Sequence, residues 1–332
     1  MIEITRAGKY SLIIDNPVMI ATGMAGFDAT AYRDLIDLEK LGAVVTAGIS
    51  WRARGPAYGP RVVPIGGGFL LHTGLPNPGA RNVIKKYSRQ WSKSSMPMIA
   101  HVISTTYEDV VRCAEALEGS GGVVGIELGL RDDVLPDELT ASLDAVREGS
   151  QLPILLKLPL HSAVDLWEIA EQSGADALVV AAPPRGTDRD PISGQLVGGR
   201  LYGPWLKPQV LRIVGQIAEL ATIPVIACGG IHTPDDARDY IGAGARAVQI
   251  DSLTWVNPGM VEVIARNLGG LELTRAVGAL GDEWEPGLGK TQVMQRDQGR
   301  SAPPPASPPP QLPELPPRDE DQTAPTDPTN DL

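Results

Sequence analysis

The chain has 332 residues, and its 29 basic and 40 acidic side chains give a formal net charge of −11. That balance argues against a nucleic-acid surface or an anionic-membrane surface. No apolar run approaches the roughly 20 residues that span a bilayer, and no signal peptide is recognisable, so we expect a cytoplasmic protein. The two cysteines, Cys113 and Cys228, lie far apart in the chain. They predict neither a disulfide framework nor a metal site.

Short apolar runs rich in valine and isoleucine recur along the chain, and most are followed by a stretch compatible with a helix. Runs that are apolar nearly throughout are typical of parallel strands buried on both faces. The predicted strands are 18–21, 43–46, 98–103, 123–128, 154–158, 177–180, 225–228 and 247–250. Amphipathic stretches between them predict helices over 32–41, 107–117, 163–172, 207–220 and 235–241.

Eight strands that alternate with helices predict an α/β fold of the (β/α)8 TIM-barrel type. A doubly wound open sheet stays the alternative, because periodicity does not separate the two architectures. The barrel is favoured by the count of eight and by a long insertion at 49–95, expected to lie as loops over the mouth. In such a barrel, reactive groups lie at the carboxyl ends of the strands.

The predicted organisation is a barrel over 1–270, a C-terminal extension over 271–300 and a tail over 301–332. The tail is Pro-rich and acidic, and leucine is its only large apolar residue type. Such a segment cannot bury enough surface to offset its ordering entropy, so we expect it to be disordered.

Glycines follow several of the predicted strands. Gly229 and Gly230 come directly after the seventh strand, and a glycine-rich turn containing Gly203 leads into the helix near Lys207. Paired glycines between a strand and a helix let backbone N–H groups approach a phosphate closely. The sequence therefore predicts a site for a phosphate-bearing ligand.

Five segments carry a more specific signal: NPVMIATG, GLPNPG, KLP, YGPWLKP and ACGGI. With them, residues 1–270 resemble the dihydroorotate dehydrogenase family, and more closely its soluble class 1 enzymes. The resemblance implies FMN as the cofactor and a small-molecule substrate. It implies a homo-oligomer, and an enzyme of the iron–sulfur-partnered type would need a second, electron-transfer subunit. The cofactor-binding residues that it implies are Ala21, Thr22, Gly23, Lys157, Gly203, Gly229, Gly230 and Ser252.

Lys157 is the strongest single candidate, because a lysine in an apolar strand is costly to bury without a partner or a purpose. The resemblance places it beside the flavin, where a cation would stabilise the anionic reduced form. The alternative is a structural ion pair inside the barrel. Asn77 matches the family asparagine that binds the pyrimidine, although Asn-Pro-Gly is also an ordinary turn.

Other positions depart from the family pattern. Ala47 replaces a lysine that contacts flavin and substrate, and His101 and Gly129 replace asparagines; Ala182-Pro183 replaces an Asn-Thr pair. The cysteine or serine base of the family loop is missing, and Asp132 falls on its position. Asp132 could act as a base only if burial raised its reference pKa of about 3.9; otherwise it is a solvated acid.

Asp251 is a further departure, since it puts a carboxylate where a glycine would lie near the cofactor phosphate. Our first interpretation is an FMN-dependent oxidoreductase that resembles dihydroorotate dehydrogenase, converting dihydroorotate to orotate in pyrimidine biosynthesis or using an altered substrate. The alternatives are a non-catalytic barrel that binds a phosphate or a flavin, and a flavin-free enzyme with Lys157 in a Schiff base.

Overall fold

The computed structural model describes residues 1–8 and 11–276. These residues form fourteen strands, β1 to β14, and eight α-helices, α1 to α8. The strands are Ile2–Glu3, Ile13–Ile14, Val18–Ile20, Ala43–Val45, Val62–Ile65, Gly68–Leu71, Met98–Ile103, Gly125–Gly129, Ile154–Pro159, Ala177–Ala182, Arg185–Arg189, Leu196–Tyr202, Val225–Cys228 and Ala247–Ile250. The helices are Ala80–Trp91, Tyr107–Glu118, Pro136–Gly149, Ala163–Gln172, Lys207–Ala218, Pro234–Gly242, Leu253–Val256 and Pro258–Ala276.

Eight of the strands close into a parallel barrel in chain order: β3, β4, β7, β8, β9, β10, β13 and β14, with β14 pairing back to β3. Nearly every residue of these strands is buried, because side chains facing inward fill the barrel and those facing outward meet the helices. The predicted TIM barrel is therefore confirmed, and the open sheet is excluded. Each of the eight predicted strands overlaps a barrel strand.

Most of the predicted helices are also present, and the helix α6 begins with a capping box. Thr233 caps α6: its hydroxyl accepts the N–H of Asp236, and the Asp236 carboxylate accepts the N–H of Thr233. This reciprocal pair satisfies two donors that the helix itself leaves free. Pro234 follows at the first helical position, where its missing N–H costs nothing.

The helix predicted over 32–41 is wrong. The chain there forms two 3-10 turns, Thr30–Tyr32 and Leu38–Lys40. A segment of ten residues is too short to be a stable helix without packing, and only Ile36 and Leu41 of this stretch are buried deeply. The Asp37 N–H is instead satisfied by Glu262 of α8, at 3.1 Å.

The insertion at 49–95 is more ordered than the loops that we expected. It contains α1, which buries Ala80, Val83 and Trp91 against the barrel. It also contains the hairpin β5–β6, which pairs with β12 and through it with β11 to form an antiparallel sheet. We call this four-stranded sheet of β5, β6, β11 and β12 the mouth sheet.

The mouth sheet carries an aromatic stack. Phe69 and Tyr202 are partners across β6 and β12 with ring centroids 5.4 Å apart, and Trp255 of α7 stacks on Phe69 at 5.8 Å. Trp255 also donates its indole N–H to the carbonyl of Met24, in the loop after β3. Because β3 is a barrel strand, this stack fixes the mouth sheet against the barrel.

The predicted barrel ends at residue 270, and α8 continues the described backbone to Ala276. The rest of the predicted extension and the whole Pro-rich tail lie outside the described residues. No helix within the described ranges is long and apolar enough to cross a bilayer.

Gly42 provides a test of the barrel packing. A Cβ at this position would overlap the carbonyl oxygen of Asn16 and lie 2.9 Å from Ile14 Cδ1. We expect Gly42→Ala to lower the free energy of unfolding by about 1–3 kcal/mol, since backbone cannot yield as a side chain does. Urea denaturation followed by circular dichroism measures this change.

The matched control is Gly215→Ala in α5, where a Cβ would meet no atom within 4 Å. This variant should be as stable as the wild type or more stable by up to about 1 kcal/mol, because alanine favours the helix. Equal unfolding midpoints for the two variants would contradict the packing described at Gly42.

Candidate active site

A buried carboxylate, that of Glu127 on β8, is the centre of a polar cluster inside the barrel. His101 on β7 lies opposite Glu127 in the strand register, and its Nδ1 is 2.7 Å from Glu127 Oε1. Gln249 on β14 donates its amide to Glu127 Oε2. Lys157 on β9 places Nζ 3.7 Å from Glu127 Oε1. Four barrel strands thus each supply one member of the cluster.

Lys157 is 3% exposed, and its ammonium group has further partners. Nζ donates to Gln249 Oε1 at 2.7 Å and lies 3.5 Å from Cys228 Sγ. Burial alone would lower the pKa of Lys157, but the negative charge of neighbouring groups, Glu127 among them, raises it above its usual value. The lysine is therefore a fixed cation at the centre of the barrel.

The charge of Glu127 is fixed in the same way. Burial alone would raise its pKa, but the charge of Lys157 and the hydrogen bond from His101 bring the pKa down to about 2. Burial raises the pKa of the neighbouring Cys228 thiol to about 12, which keeps that group neutral. The interior of the barrel therefore holds a cation and an anion that compensate each other.

The paired glycines after β13 lie where the sequence predicted them, at the carboxyl end of the barrel. Gly230 has a φ of 68°, in the left-handed region, and a Cβ there would lie 2.5 Å from the backbone nitrogen of Lys207. The close approach of α5 thus requires a glycine. In the part of the chain that the structure describes, the N–H groups of Gly230 and Ile231 have no hydrogen-bond acceptor. Adjacent free N–H groups of this kind can bind an anion.

Asp251 and Ser252 follow β14 beside these glycines. Asp251 Oδ1 accepts both the N–H of Ser252, at 2.6 Å, and its hydroxyl, at 3.0 Å. Oδ2 of Asp251 is buried and has no hydrogen-bond partner among the described residues. Burial raises the pKa of this carboxyl. His232 Nε2 lies 3.2 Å from Ser252 Oγ.

The other cofactor-binding candidates lie around the same end of the barrel. Thr22 donates its hydroxyl to the carbonyl of Thr46, so it joins the loops after β3 and β4. Gly23 has a φ of 81°, and a Cβ there would meet no atom within 4 Å, so its backbone borders open space. Ala21 is buried directly before them. A Cβ at Gly203 would lie 2.8 Å from the carbonyl oxygen of Gly67, so this glycine lets β12 meet the hairpin β5–β6.

Asp132 lies in the loop after β8 and is ion-paired with two arginines of the mouth sheet. Arg185 Nε is 2.6 Å from Asp132 Oδ2, and Arg200 contacts Oδ1. Burial works against ionisation of Asp132, but both arginines favour it, and the pKa lies below its usual value. A low pKa makes a carboxylate a weak general base. The geometry thus gives Asp132 a structural contact between the barrel and the mouth sheet.

Asn77 is 5% exposed, and both ends of its amide already have partners. Its oxygen accepts the N–H of Gly79 at 3.0 Å, and its nitrogen donates to Ser50 Oγ at 3.0 Å and to the carbonyl of Leu75 at 3.2 Å. These bonds hold the GLPNPG loop in its turn. The assignment of Asn77 to the substrate stays a prediction.

Sequence reasoning did not single out Glu127 or Gln249. A signal was present, because each is a polar residue inside an apolar strand, as Lys157 is. Lys157 was recognised through the motif around it, whereas the partner that makes its burial possible lies 30 positions away. The pairing depends on the barrel register, which the sequence alone does not give.

Residues 10–271 match the family model described as dihydroorotate dehydrogenase. Among curated proteins, the chain is similar to the dihydroorotate dehydrogenase B (NAD(+)) catalytic subunit of Geotalea uraniireducens, with 32% identity over 76% of this chain and 88% of the relative. It is 33% identical to the protein of the same name from Trichlorobacter lovleyi, over 78% of this chain and 90% of that one. It is 28% identical to the protein of the same name from Halalkalibacterium halodurans, over 82% of this chain and 96% of that one.

The pair of Glu127 and Lys157 gives a testable prediction. Glu127→Gln leaves a buried ammonium without its anion, and we expect the free energy of unfolding to fall by about 3–5 kcal/mol at pH 7. The pKa of Glu127 is about 2 in the folded protein against 4.5 for a free glutamate side chain, so its stabilisation is complete above about pH 4.5. That stabilisation is lost as the pH falls through the folded value.

Urea denaturation of the two proteins between pH 7 and pH 3.5 tests this dependence. The difference between wild type and Glu127→Gln should narrow below about pH 4.5. The control is Glu168→Gln on α4, where an exposed carboxylate contacts only Gln172 within the described chain; it should cost under about 0.5 kcal/mol. If the difference in the free energy of unfolding between the wild type and Glu127→Gln did not change with pH, the charge of Glu127 would not be the source of the stabilisation.

Proposed function

The chain belongs to the dihydroorotate dehydrogenase family, and we propose that it oxidises dihydroorotate to orotate in pyrimidine biosynthesis with FMN as its cofactor. The observation that carries this proposal is the buried ammonium of Lys157. It lies in the carboxyl-terminal half of β9, at the position where the family pattern has the lysine beside the flavin. A cation held there by Glu127 and Gln249 is oriented before any ligand arrives.

The residues around the barrel mouth fit FMN. The free N–H groups of Gly230 and Ile231 are suited to its phosphate, and Gly23 leaves room for a planar ring over the end of β3. Bound FMN would supply the acceptor for a hydride. Lys157 would stabilise the negative charge that the reduced cofactor carries at its N1/O2 edge. A raised pKa keeps Lys157 protonated, which speaks against the Schiff-base alternative, since that chemistry needs a neutral amine.

Lys157 belongs to this proposal as the catalytic group. We propose structural roles for Asp132 and Asn77, in the clamp to the mouth sheet and in the GLPNPG turn. Asn77 could contact a substrate only by exchanging one of its present partners. With Ala47, Gly129 and Ala182 at positions where the family has polar side chains, the pocket offers fewer polar contacts to a substrate.

We propose further that the protein works with an electron-transfer subunit, because its relatives are named as the catalytic subunit of dihydroorotate dehydrogenase B (NAD(+)). We also propose that it is a homo-oligomer, as the resemblance to the family implies. We place it in the cytoplasm. Cys113 and Cys228 are unpaired, buried thiols, as a reducing compartment allows.

The proposed function predicts the behaviour of the purified protein. As isolated or after FMN is added, it should show the visible absorbance of a bound flavin, and anaerobic dihydroorotate should bleach that absorbance. Orotate should form in an amount equal to the flavin reduced, because one hydride is transferred for each substrate. A flavin that stays oxidised with dihydroorotate would contradict this substrate, and a protein that binds no FMN would contradict the cofactor.

Asp251 leads to a second prediction. Its orphaned Oδ2 lies beside Ser252 at the proposed phosphate site, so the ionised carboxylate would repel the phosphate while the protonated form could donate to it. Burial raises the pKa of Asp251, and FMN affinity should therefore fall as the pH rises and this group loses its proton. The affinity of the apoprotein for FMN, followed by flavin fluorescence between pH 5 and pH 9, measures the effect.

Two variants separate charge from shape at this position. Asp251→Asn keeps the size of the side chain and Asp251→Gly removes it. Both should bind FMN at least about tenfold more tightly than the wild type at pH 9, a difference of about 1.4 kcal/mol, and with little dependence on pH from this site. A wild-type affinity that equals theirs at every pH would rule out a role for Asp251.

A further inference from the structure

His101 is a titratable side chain at the barrel mouth that the proposed function leaves without a role. It lies on β7 next to Glu127 and is 7% exposed. Its Nδ1 is occupied by the Glu127 carboxylate, at 2.7 Å. Its other ring nitrogen, Nε2, has no hydrogen-bond partner in residues 1–8 and 11–276, and it is not among the fully buried polar atoms that lack a partner. Nε2 therefore keeps some solvent-accessible surface.

Two glycines make room for this ring. A Cβ at Gly129 would lie 2.6 Å from His101 Cε1 and closer still to Nε2, and a Cβ at Gly48 would lie 3.6 Å from Cδ2. Gly129 stands where the family pattern has an asparagine. In this chain the imidazole of His101 occupies the space that a side chain at 129 would need. The substitutions at 101 and 129 are thus coupled in space.

The charges around the ring settle which nitrogen carries the proton. From β8, Glu127 is ionised, because Lys157 of β9 and His101 itself hold its pKa down at about 2. An ionised carboxylate can only accept, so Nδ1 donates and Nε2 of the neutral ring keeps its lone pair. On the β4 side the neighbours are the uncharged Thr46 and Gly48. On α2, which packs on β7, Asp109 is ion-paired with Arg52, and burial raises the pKa of Cys113 to about 12.

The reaction needs a base that the usual loop does not supply. The loop after β8 has no cysteine or serine, and its Asp132 is held by Arg185 and Arg200. A neutral imidazole oriented by a carboxylate is, by contrast, a competent base near neutral pH, since the carboxylate stabilises the imidazolium that forms.

We propose that His101 is the general base of this enzyme and that its Nε2 takes the proton from the substrate; this inference rests on the proposed function. The C5–H bond of dihydroorotate breaks, its proton passes to Nε2 and its electron pair becomes the new C5=C6 bond. Bound FMN would supply the acceptor for the hydride released from C6. The proton on Nε2 then passes to solvent, which restores the neutral ring. Glu127 acts through His101 as a positioning residue.

The experiment compares the wild type with His101→Gln as FMN-loaded proteins. The rate constant of anaerobic flavin reduction by dihydroorotate is measured by stopped flow from pH 5 to pH 9. In the wild type it should rise with pH through one ionisation and then level off. In His101→Gln it should be at least about 100-fold lower and lack that ionisation, while the affinity for FMN and the unfolding midpoint stay close to those of the wild type. His161→Gln, an exposed position after β9, should reduce like the wild type.

Nitrogen NMR of the 15N-histidine-labelled protein gives a readout that does not depend on turnover. The chain has four histidines, so the signals that vanish in His101→Gln identify this ring. Near neutral pH they should show a proton on Nδ1 and none on Nε2, and orotate should shift the Nε2 signal. If His101→Gln does not fold, His101→Asn is measured in its place.

The outcomes separate the two proposals. Dihydroorotate reduces the wild type if the proposed function is right. If it then reduces His101→Gln equally fast or with the same pH profile, the base is another group, and the role proposed for His101 is wrong although the proposed function is right. A proton found on Nε2 of the neutral ring also overturns that role. If dihydroorotate reduces the wild type at no pH, the proposed function fails and the inference fails with it.

Discussion

The carboxylate of Glu127 is the interaction on which the polar interior of this barrel depends. An ammonium group as deeply buried as that of Lys157 would ordinarily lose its proton or force water into the core. Here the Glu127 carboxylate balances the charge of Lys157, and the two oxygens of that carboxylate also contact His101 and Gln249. A buried ion pair is not in itself evidence of a stable fold, because well-packed apolar side chains of similar volume often stabilise the folded state equally well. Its value lies in holding a cation and an imidazole in fixed positions.

The mouth sheet extends this arrangement outward. Arg185 and Arg200 are partners across β11 and β12, and both converge on Asp132 in the loop that follows the strand of Glu127. The loop after β8, which carries the base in the family pattern, is therefore held to the mouth sheet by ion pairs. In our proposal the proton acceptor, His101, lies on the barrel strand β7 instead of in that loop.

The barrel strands could be predicted from sequence because burial on both faces leaves runs of apolar residues that local inspection detects. The cap of α6 could be predicted because Thr233 and Asp236 act within one turn. By contrast, α1 was not predicted, although Ala80, Val83 and Trp91 follow a helical spacing, because it lies in the long insertion that we expected to form loops. The mouth sheet and the cluster around Glu127 join residues far apart in the chain, and no local pattern encodes which strand lies beside which.

The pairing of β6 with β12 brings Leu71 against Arg200, and four of the eight barrel strands lie between these two positions in the chain. Closing so long a loop costs entropy that only the completed core can offset. During synthesis, β5 and β6 leave the ribosome well before β12 exists. The edge of β6 that later pairs with β12 therefore has no partner strand until then. The pairing of β6 with β12 is consequently expected to be a late step of folding, as is the closure of the barrel between β14 and β3.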